Sequence, residues 1–417
     1  MTRRACVVGS GAREHAIALA LSRSASVLVT PGNDAMHGPS IRVTDMPATS
    51  IEADLYVIGP EQPLVDGLAD ELRDQGCLVM GPGRDAAALE GSKAFMKEVL
   101  AAAGVPSARF GVFDDAHSAI RFLDELPGTV VVKTDGLAAG KGVLVTDDRD
   151  EAAADIRHKL SGEAFGDAGR RVVIEEGLAG EECSLHVLVD GVSAEPMAPA
   201  RDYKRLLDGD AGPNTGGMGA VSPVASVDDA LVGTVMDRAV LPTLAELRRR
   251  GIDYRGVLYA GVMITGEGPS VLEFNVRLGD PEAEVVLPRL ADDPFDLFVA
   301  VASGTMSGPP RFSPDAAVTV VLAAQGYPRS PALGARIRGL GLHGQLEDHL
   351  DGVFVFHAGT RRDEDGFVVA GGRVLSVTAL GPTVGIARAR AYEAVSTISF
   401  DGLQVRHDIA AGEMAPA

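Results

Sequence analysis

Val130-Val131-Val132-Lys133-Thr134-Asp135-Gly136-Leu137-Ala138-Ala139-Gly140-Lys141-Gly142-Val143-Leu144-Val145-Thr146 is the stretch on which the reading of this chain turns. Two short β-branched runs, Val130–Lys133 and Val143–Thr146, read as strands. Between them lies a loop of small residues with Lys133 and Lys141 near its ends. It is not a Walker loop. Only three residues separate Gly136 from Gly140, and Gly142 stands where that motif needs Ser or Thr. It also joins strand to strand rather than strand to helix. Such a hairpin suits a lid over a polyphosphate: small residues let backbone amides approach the oxygens, and lysines supply charge. The alternative, a surface hairpin with solvated lysines, leaves the run of small residues unexplained.

Toward the N-terminus the pattern alternates. Apolar runs at Ala5–Val8, Val27–Thr30, Leu55–Ile58 and Cys77–Met80 are separated by helical spacing at Glu14–Ser22 and Val65–Gln75. This predicts a doubly wound parallel sheet through about residue 98. Gly9-Ser10-Gly11 follows the first run, but Glu14 occupies the third glycine position of a dinucleotide fingerprint, and the second run ends in Thr30-Pro31-Gly32-Asn33 with no acid for a ribose. Two readings stay open: a monophosphate site at a helix N-terminus beside Arg13, or a tight turn packing helix on sheet.

Toward the C-terminus the chain reads as mixed α+β. Helices are expected at Ser92–Ala103, Glu151–Leu160 and Ala230–Arg250, and strands at Val172–Glu175, Ser184–Val189, Tyr259–Thr265 and Val271–Asn275. Glu175-Glu176 and Glu181-Glu182 flank a turn, where a carboxylate could meet a ribose hydroxyl. Glu273 and Asn275 alternate on one strand and share a face, a pair of oxygen ligands that suits Mg²⁺ completed by phosphates and water. Arg277-Leu278-Gly279-Asp280-Pro281-Glu282 follows at once, too charged for a core strand. Asp202–Arg205 and Gly212-Pro213-Asn214-Thr215-Gly216-Gly217-Met218-Gly219 form a long glycine-rich stretch of the kind that usually binds something. Gly304–Pro314 reads as a linker. A last domain follows, with strands at Val318–Ala323, Val353–His357 and Arg373–Val377 and a helix at Thr383–Ile398.

Composition narrows the function classes. Of 417 residues, 58 are acidic and 38 are Lys or Arg, a formal charge of −20, which disfavours a nucleic-acid surface. Cys6, Cys77 and Cys183 offer neither a disulfide framework nor metal spacing, and the nine histidines show no zinc pattern. The first apolar run is broken by Arg13, Glu14 and His15, so no secretory segment is expected; nor is there a membrane span, and the expected location is the cytoplasm.

Taken in order, Gly9–His15, Pro31–Asn33, Gly59–Val65, Leu89–Lys97, Lys133–Val143, Ala164–Glu176, Gly212–Gly219, Glu273–Glu282, Phe356–Thr360 and Gly371–Tyr392 resemble the phosphoribosylamine–glycine ligases, which are ATP-grasp enzymes. The runs LEGSKAF, DGLAAGKGV and GPNTGGMGA carry the resemblance. It implies an α/β and α+β multidomain chain with a parallel-sheet N-terminal domain (1–98), a two-part ATP-grasp clamp (99–312, lid about 115–190) and a small mixed α/β C-terminal domain (313–417). It also implies ATP-dependent joining of glycine to phosphoribosylamine in purine biosynthesis, through glycyl phosphate, with Mg²⁺ or Mn²⁺. The partners implied are these small molecules, with no nucleic acid and no membrane, on a monomer or, alternatively, a dimer. Implied to face ATP are Lys93, Lys133, Gly136, Gly140, Lys141, Gly142, Glu175, Glu176, Leu178 and Glu182. Glu273 and Asn275 would hold metal. Asn214, Arg277 and Asp280 would serve catalysis, and Gly9, Gly11, Arg13, Asn33, Lys204 and Gly279 the substrates. The chain departs from the usual pattern at Ala12, Gly177, Tyr203 and Leu278.

A different ATP-grasp ligase, a nicotinamide oxidoreductase and a catalytically inert nucleotide-binding regulator are the rival readings. The missing ribose acid disfavours the oxidoreductase, and intact Lys133, Lys141, Glu273 and Asn275 disfavour the regulator. If Lys141 is a lid lysine, Lys141→Ala raises KM for ATP several-fold and leaves KM for glycine nearly unchanged; steady-state kinetics with each substrate varied checks this.

Overall fold

Ala5-Cys6-Val7-Val8 are buried in succession, and a strand apolar on both faces belongs in a parallel sheet covered on both sides. In the computed structural model, which describes residues 3–138, 142–162 and 166–414, this run is the centre of such a sheet. Strands β1 (Arg4–Gly9), β2 (Ser26–Pro31), β3 (Ile41–Val43), β4 (Leu55–Ile58) and β5 (Val79–Met80) are ordered β3-β2-β1-β4-β5, all parallel. The edge strand β3 escaped the sequence reading because three residues are too short to show a period. Helix α1 (Ala12–Leu21) follows β1; α2 (Glu61–Asp66) and α3 (Leu68–Asp74), parted at Gly67, replace the single helix expected over Val65–Gln75.

After α4 (Arg84–Gly91), Ser92 caps α5 (Lys93–Ala103), its hydroxyl accepting the Phe95 amide at 3.1 Å. Residue 98, where the sequence suggested a boundary, lies inside α5. The Val-rich runs flanking the glycine loop are β7 (Val130–Thr134) and β8 (Val143–Thr146). With β6 (Phe110–Phe113) and β9 (Val172–Glu176) they form an antiparallel sheet, β6-β9-β7-β8. Helices α6 (Ala116–Glu125) and α7 (Arg149–Leu160) close its own small core around Val130, Val132 and Ile174. Gly140 and Lys141 lie outside the described residues.

The second half of the clamp is an antiparallel sheet in which β10 (Glu181–Asp190) lies between β11 (Ala194–Pro196) and the long strand Arg255–Thr265, followed by Gly268–Asn275. Met96, Val99 and Leu100 of α5 share one core with Leu244, Leu247, Val262 and Phe274. The helix expected over Ala230–Arg250 forms as Asp229–Val235 and Leu241–Arg249 with a π-helical turn, Met236–Val240, between them. Pro242 lacks the amide that a regular ladder would use there.

The C-terminal sheet is built from Arg201–Asp202, Gly219–Ser222, Ala316–Ala323, Arg373–Gly381 and Val353–His357, in that order. Gly219 pairs with Val320 and Ser222 with Ala317, so the end of the GPNTGGMGA run is a strand of this sheet rather than loop, and the sheet draws strands from both sides of residues 312–313. Helix Val384–Thr397 covers it with Ala387, Ala391, Ala394 and Val395, an apolar stripe at helical spacing. Among the described residues no helix is long and apolar enough to cross a membrane.

Two histidines join the first and last domains. The His357 amide donates to His15 Nδ1 at 2.9 Å, while His357 Nε2 donates to the Gly344 carbonyl at 2.7 Å and its Nδ1 faces the Thr360 hydroxyl at 2.9 Å. Both are buried. Burial pushes His357 down to about 4, the Gly344 carbonyl opposing; burial, and then the neighbouring His357, hold His15 well below the usual range. The unfolded chain therefore takes up protons near pH 6.5 that the folded chain refuses. Stability is full above that pH and falls as pH drops toward 4, by about 1.4 kcal/mol per pH unit for each histidine. Urea unfolding between pH 7.5 and 4.5 checks this; in His15→Gln/His357→Gln the slope is shallower.

Candidate active site

A cleft of about 400 Å³ opens where the two halves of the clamp, the parallel-sheet domain and the C-terminal sheet meet. Lys93, one of its lysines, is placed by the N-terminus of α5. Asp135, at the end of β7, docks there: its carboxylate accepts the Ala94 amide and the Ser92 hydroxyl, each at 2.8 Å, and its carbonyl accepts the Lys93 amide at 3.0 Å. A carboxylate at a helix N-terminus is favoured by the helix dipole, and here it fixes the glycine loop relative to α5. Lys93 Nζ reaches the Gly136 carbonyl at 3.3 Å from a half-buried position; desolvation lowers its pKa, and Glu273 opposes the shift.

Glu175 on β9 lies between Lys97 of α5 and Lys133 of β7, at 2.8 and 2.7 Å. Lys97 and Glu175 are 0% and 2% exposed. Burial would push the Glu175 carboxyl up, but Lys133 and Lys97 outweigh it and hold the group below the usual carboxylate range.

Glu273 and Asn275, on strand Gly268–Asn275, both line the cleft, as their spacing predicts. Burial raises the Glu273 pKa, yet Lys204, Lys133 and Lys93 together bring it below the ordinary value. Among the described residues no group of three or more His, Cys, Asp or Glu is arranged to hold a metal. A carboxylate and an amide on one strand fit a cation that takes most of its ligands from phosphate and water. Facing them, burial pushes Asp202 up to about 7, with Glu282 and Glu182 adding and Lys204 opposing; Lys204 is raised well above the usual lysine range, its own burial outweighed by Asp202 and Glu273.

Arg277 is clamped from the parallel-sheet domain by Glu90 of α4 at 2.7 Å and Glu61 of α2 at 3.3 Å, and Glu90 also accepts the Val276 amide at 2.8 Å. Asp280 pairs with Arg373 of the C-terminal sheet at 2.8 Å, and Arg373 also donates to the Gly216 and Asp280 carbonyls. Three domains thus hold one turn, with cations and carboxylates presented to the cleft.

Against known proteins, three consecutive family profiles cover the chain: phosphoribosylglycinamide synthetase N domain at residues 3–90, ATP-grasp (A) domain at 91–283 and C domain at 317–412. It belongs to the phosphoribosylglycinamide synthetase family. Within that family, phosphoribosylamine–glycine ligases from Leifsonia xyli and Streptomyces coelicolor are each 47% identical, over 97% of this chain and 99% and 98% of theirs. The crystal structure of the Thermotoga maritima phosphoribosylamine–glycine ligase superposes with a TM-score of 0.84 at 34% identity, covering 98% of this chain and all of that one. A biotin carboxylase from Campylobacter jejuni, 13% identical with a TM-score of 0.73 over 97% of this chain and 93% of its own, shares the fold.

Several residues assigned from the synthetase family resemblance are otherwise engaged. At the first glycine turn Glu14 Oε2 accepts the Gly11 amide at 2.7 Å and Oε1 accepts Arg13 Nε at 2.6 Å. The amide and guanidinium offered to a phosphate there are thus held by the chain's own carboxylate. Gly9, at φ +126°, and Gly59 lie against the Glu14 side chain where a Cβ would collide with it, so the turn is built around that acid. Asn33 donates to the Ser10 and Ala358 carbonyls at 3.3 and 3.0 Å and accepts the Ala35 amide at 2.8 Å, bracing the turn against the C-terminal domain. The Glu175 carboxylate lies between Lys97 and Lys133; Glu176 accepts the Arg109 amide at 2.8 Å; and Glu182 pairs with Lys204 at 2.8 Å. Leu178 is half-buried in the turn between β9 and β10. Asn214 is exposed on the hairpin pairing Arg205 with Asn214, outside the cleft lining that includes its neighbours Thr215 and Gly216. Gly279 lines the cleft, but its amide goes to His186 and its carbonyl to the Ala283 amide.

The family departure at Tyr203 is structural: the ring lies under the Arg406 guanidinium at 5.3 Å, and burial pushes the phenol up to about 12. Glu61, Glu90, His186 and Arg373 were given no individual role from sequence, because their partners Arg277, Gly279 and Asp280 lie far away along the chain and leave no local spacing signal.

Removing the Glu175 carboxylate leaves Lys97 and Lys133 buried without their counter-charge. Glu175→Ala is expected to lower the unfolding free energy by about 3 kcal/mol or more, read by urea denaturation.

Proposed function

We propose that this chain performs the ligation its family is named for, joining glycine to 5-phosphoribosylamine at the expense of ATP to give glycinamide ribonucleotide, ADP and phosphate in purine biosynthesis. The observation that carries this reading is the convergence in one cleft of Lys93, Glu273, Asn275, Arg277 and Asp280, with Lys133 against the same strand. In this reading Lys93, Lys133 and Lys141 take the ATP phosphates, and the Gly136–Gly142 lid closes over them. Backbone of Glu176–Leu178 faces adenine. Arg277 and Asp280 meet glycine, and the amine substrate enters from the first glycine turn and Asn33. Asn214 reaches the site only if its hairpin moves inward.

The chemistry needs activation, since a carboxylate has no good leaving group. A glycine carboxylate oxygen attacks the γ-phosphorus and ADP departs, leaving glycyl phosphate. The ribosylamine nitrogen then attacks the acyl carbon; phosphate leaves, and the nitrogen gives up a proton as the amide forms. The residues of the cleft bind, orient and neutralise. Glu273 and Asn275 would hold Mg²⁺ or Mn²⁺, which supplies charge neutralisation at phosphate oxygens. Lid closure excludes water from the acyl phosphate.

ADP release in mixtures lacking one component at a time tests this. ADP and glycinamide ribonucleotide are expected together only when ATP, divalent metal, glycine and phosphoribosylamine are all present; ADP formed with a different acid or amine overturns the substrate assignment. In the full mixture Glu273→Ala lowers kcat by at least about 100-fold, with partial recovery at high metal.

A further inference from the structure

His186 is fully buried on β10, directly across the strand pair from Tyr259. Its Nε2 accepts the Gly279 amide at 2.8 Å. Accepting there requires the ring to be neutral with its proton on Nδ1, and among the described residues Nδ1 has no hydrogen-bond partner. A buried donor without a partner is costly, so a side chain present only to fill the core would be better apolar. Tyr259 holds the ring edge-on, with centroids 5.1 Å apart, and is itself fixed by a 2.7 Å hydrogen bond between its hydroxyl and Ser184. Gly279 sits close enough that a Cβ would lie 3.1 Å from His186 Nε2 and collide with the Glu282 carboxylate. The glycine and the histidine are therefore fitted to each other.

The amide that His186 holds lies between Arg277 and Asp280. Those two side chains are anchored outward, Arg277 to Glu61 and Glu90 and Asp280 to Arg373, from opposite domains. The carbonyls of this run are held by Arg13 and Arg277 at Leu278, by the Ala283 amide at Gly279 and by Arg373 at Asp280; the Gly279 amide is held by His186. The geometry points to His186 as a positioning residue for the ligation, setting through Gly279 the separation at which Arg277 and Asp280 meet the acyl-transfer substrates. This rests on the reaction proposed above. His186 touches no substrate; a displacement of about 1 Å at the reacting groups can cost on the order of 100-fold in rate, which is the lever such a residue controls.

The test uses two polar replacements of similar character. In His186→Gln the side-chain oxygen reaches the place of Nε2 and can accept the Gly279 amide; in His186→Asn it reaches only the place of Nδ1. Tm, kcat, and KM for ATP and for glycine are measured on both variants and the parent chain. His186→Gln is expected to keep kcat within about threefold, whereas His186→Asn loses about 10-fold to 100-fold in kcat with KM for ATP within about twofold and Tm close to that of His186→Gln. Equal kcat in the two variants, or losses that follow Tm alone, overturn the inference. If either variant fails to fold, the same comparison is made by amide exchange at Gly279 in the parent chain: protection matching the most stable core amides is expected, and exchange at the rate of an open loop overturns it. A parent chain without ligase activity refutes the proposed reaction instead, which separates the two failures.

Discussion

One buried carboxylate, Glu175, determines whether the clamp can exist before its ligands arrive. A site for polyphosphate must concentrate lysines, and lysines concentrated in a poorly solvated cleft repel one another and lose their charge. Glu175 lies 2.8 Å from Lys97 and 2.7 Å from Lys133, and its one negative charge offsets part of their positive charge. Because those lysines belong to α5 and β7, the same contact fixes the four-stranded lid sheet to the helix that opens the clamp. The arrangement is costly to desolvate, and its use is placement more than stability. Asp135 repeats the device just past the same end of β7, fastening the start of the glycine loop to the N-terminus of α5.

The same logic governs the rest of the cleft. Three of the cations that face it are tethered by acids from elsewhere in the chain: Arg277 by Glu61 and Glu90, Arg373 by Asp280, Lys204 by Glu182. A protein with a formal charge of −20 can thereby hold a locally positive site without leaving its cations free to collapse on one another. Pre-placed charge of this kind costs no reorganisation when negative charge develops, which is what phosphoryl and acyl transfer require. The first glycine turn applies the device differently. Glu14 occupies the helix N-terminus with its own carboxylate, so the turn that resembles a dinucleotide cradle is filled from within.

The sequence carried the large pattern well. Period-two and period-3.6 runs located the parallel sheet, the two clamp strands around the glycine loop and the C-terminal sheet. Glu273 and Asn275 were placed on one face by nothing more than strand alternation, and both line the cleft. The pattern failed where short range ran out. Ile41–Val43 was too short to register, Pro242 turned one helix into two with a π-helical turn, and Gly219–Ser222 looked like loop because its partner, Ala316–Ala323, lies about a hundred residues away.

The sequence by itself determined the elements, the glycine loop with its lysines, the metal-type pair on one strand and the family to which the motifs belong, because each of these is written in local spacing or contiguous runs. The tertiary structure alone decided which charges are spent on the protein itself. That Glu175 serves lysines, that Asn33 braces the C-terminal domain and that His186 holds Gly279 all depend on groups that approach within about 3 Å across strands or domains. Coulomb and hydrogen-bond energies fall off over such distances, and no spacing along the chain encodes them.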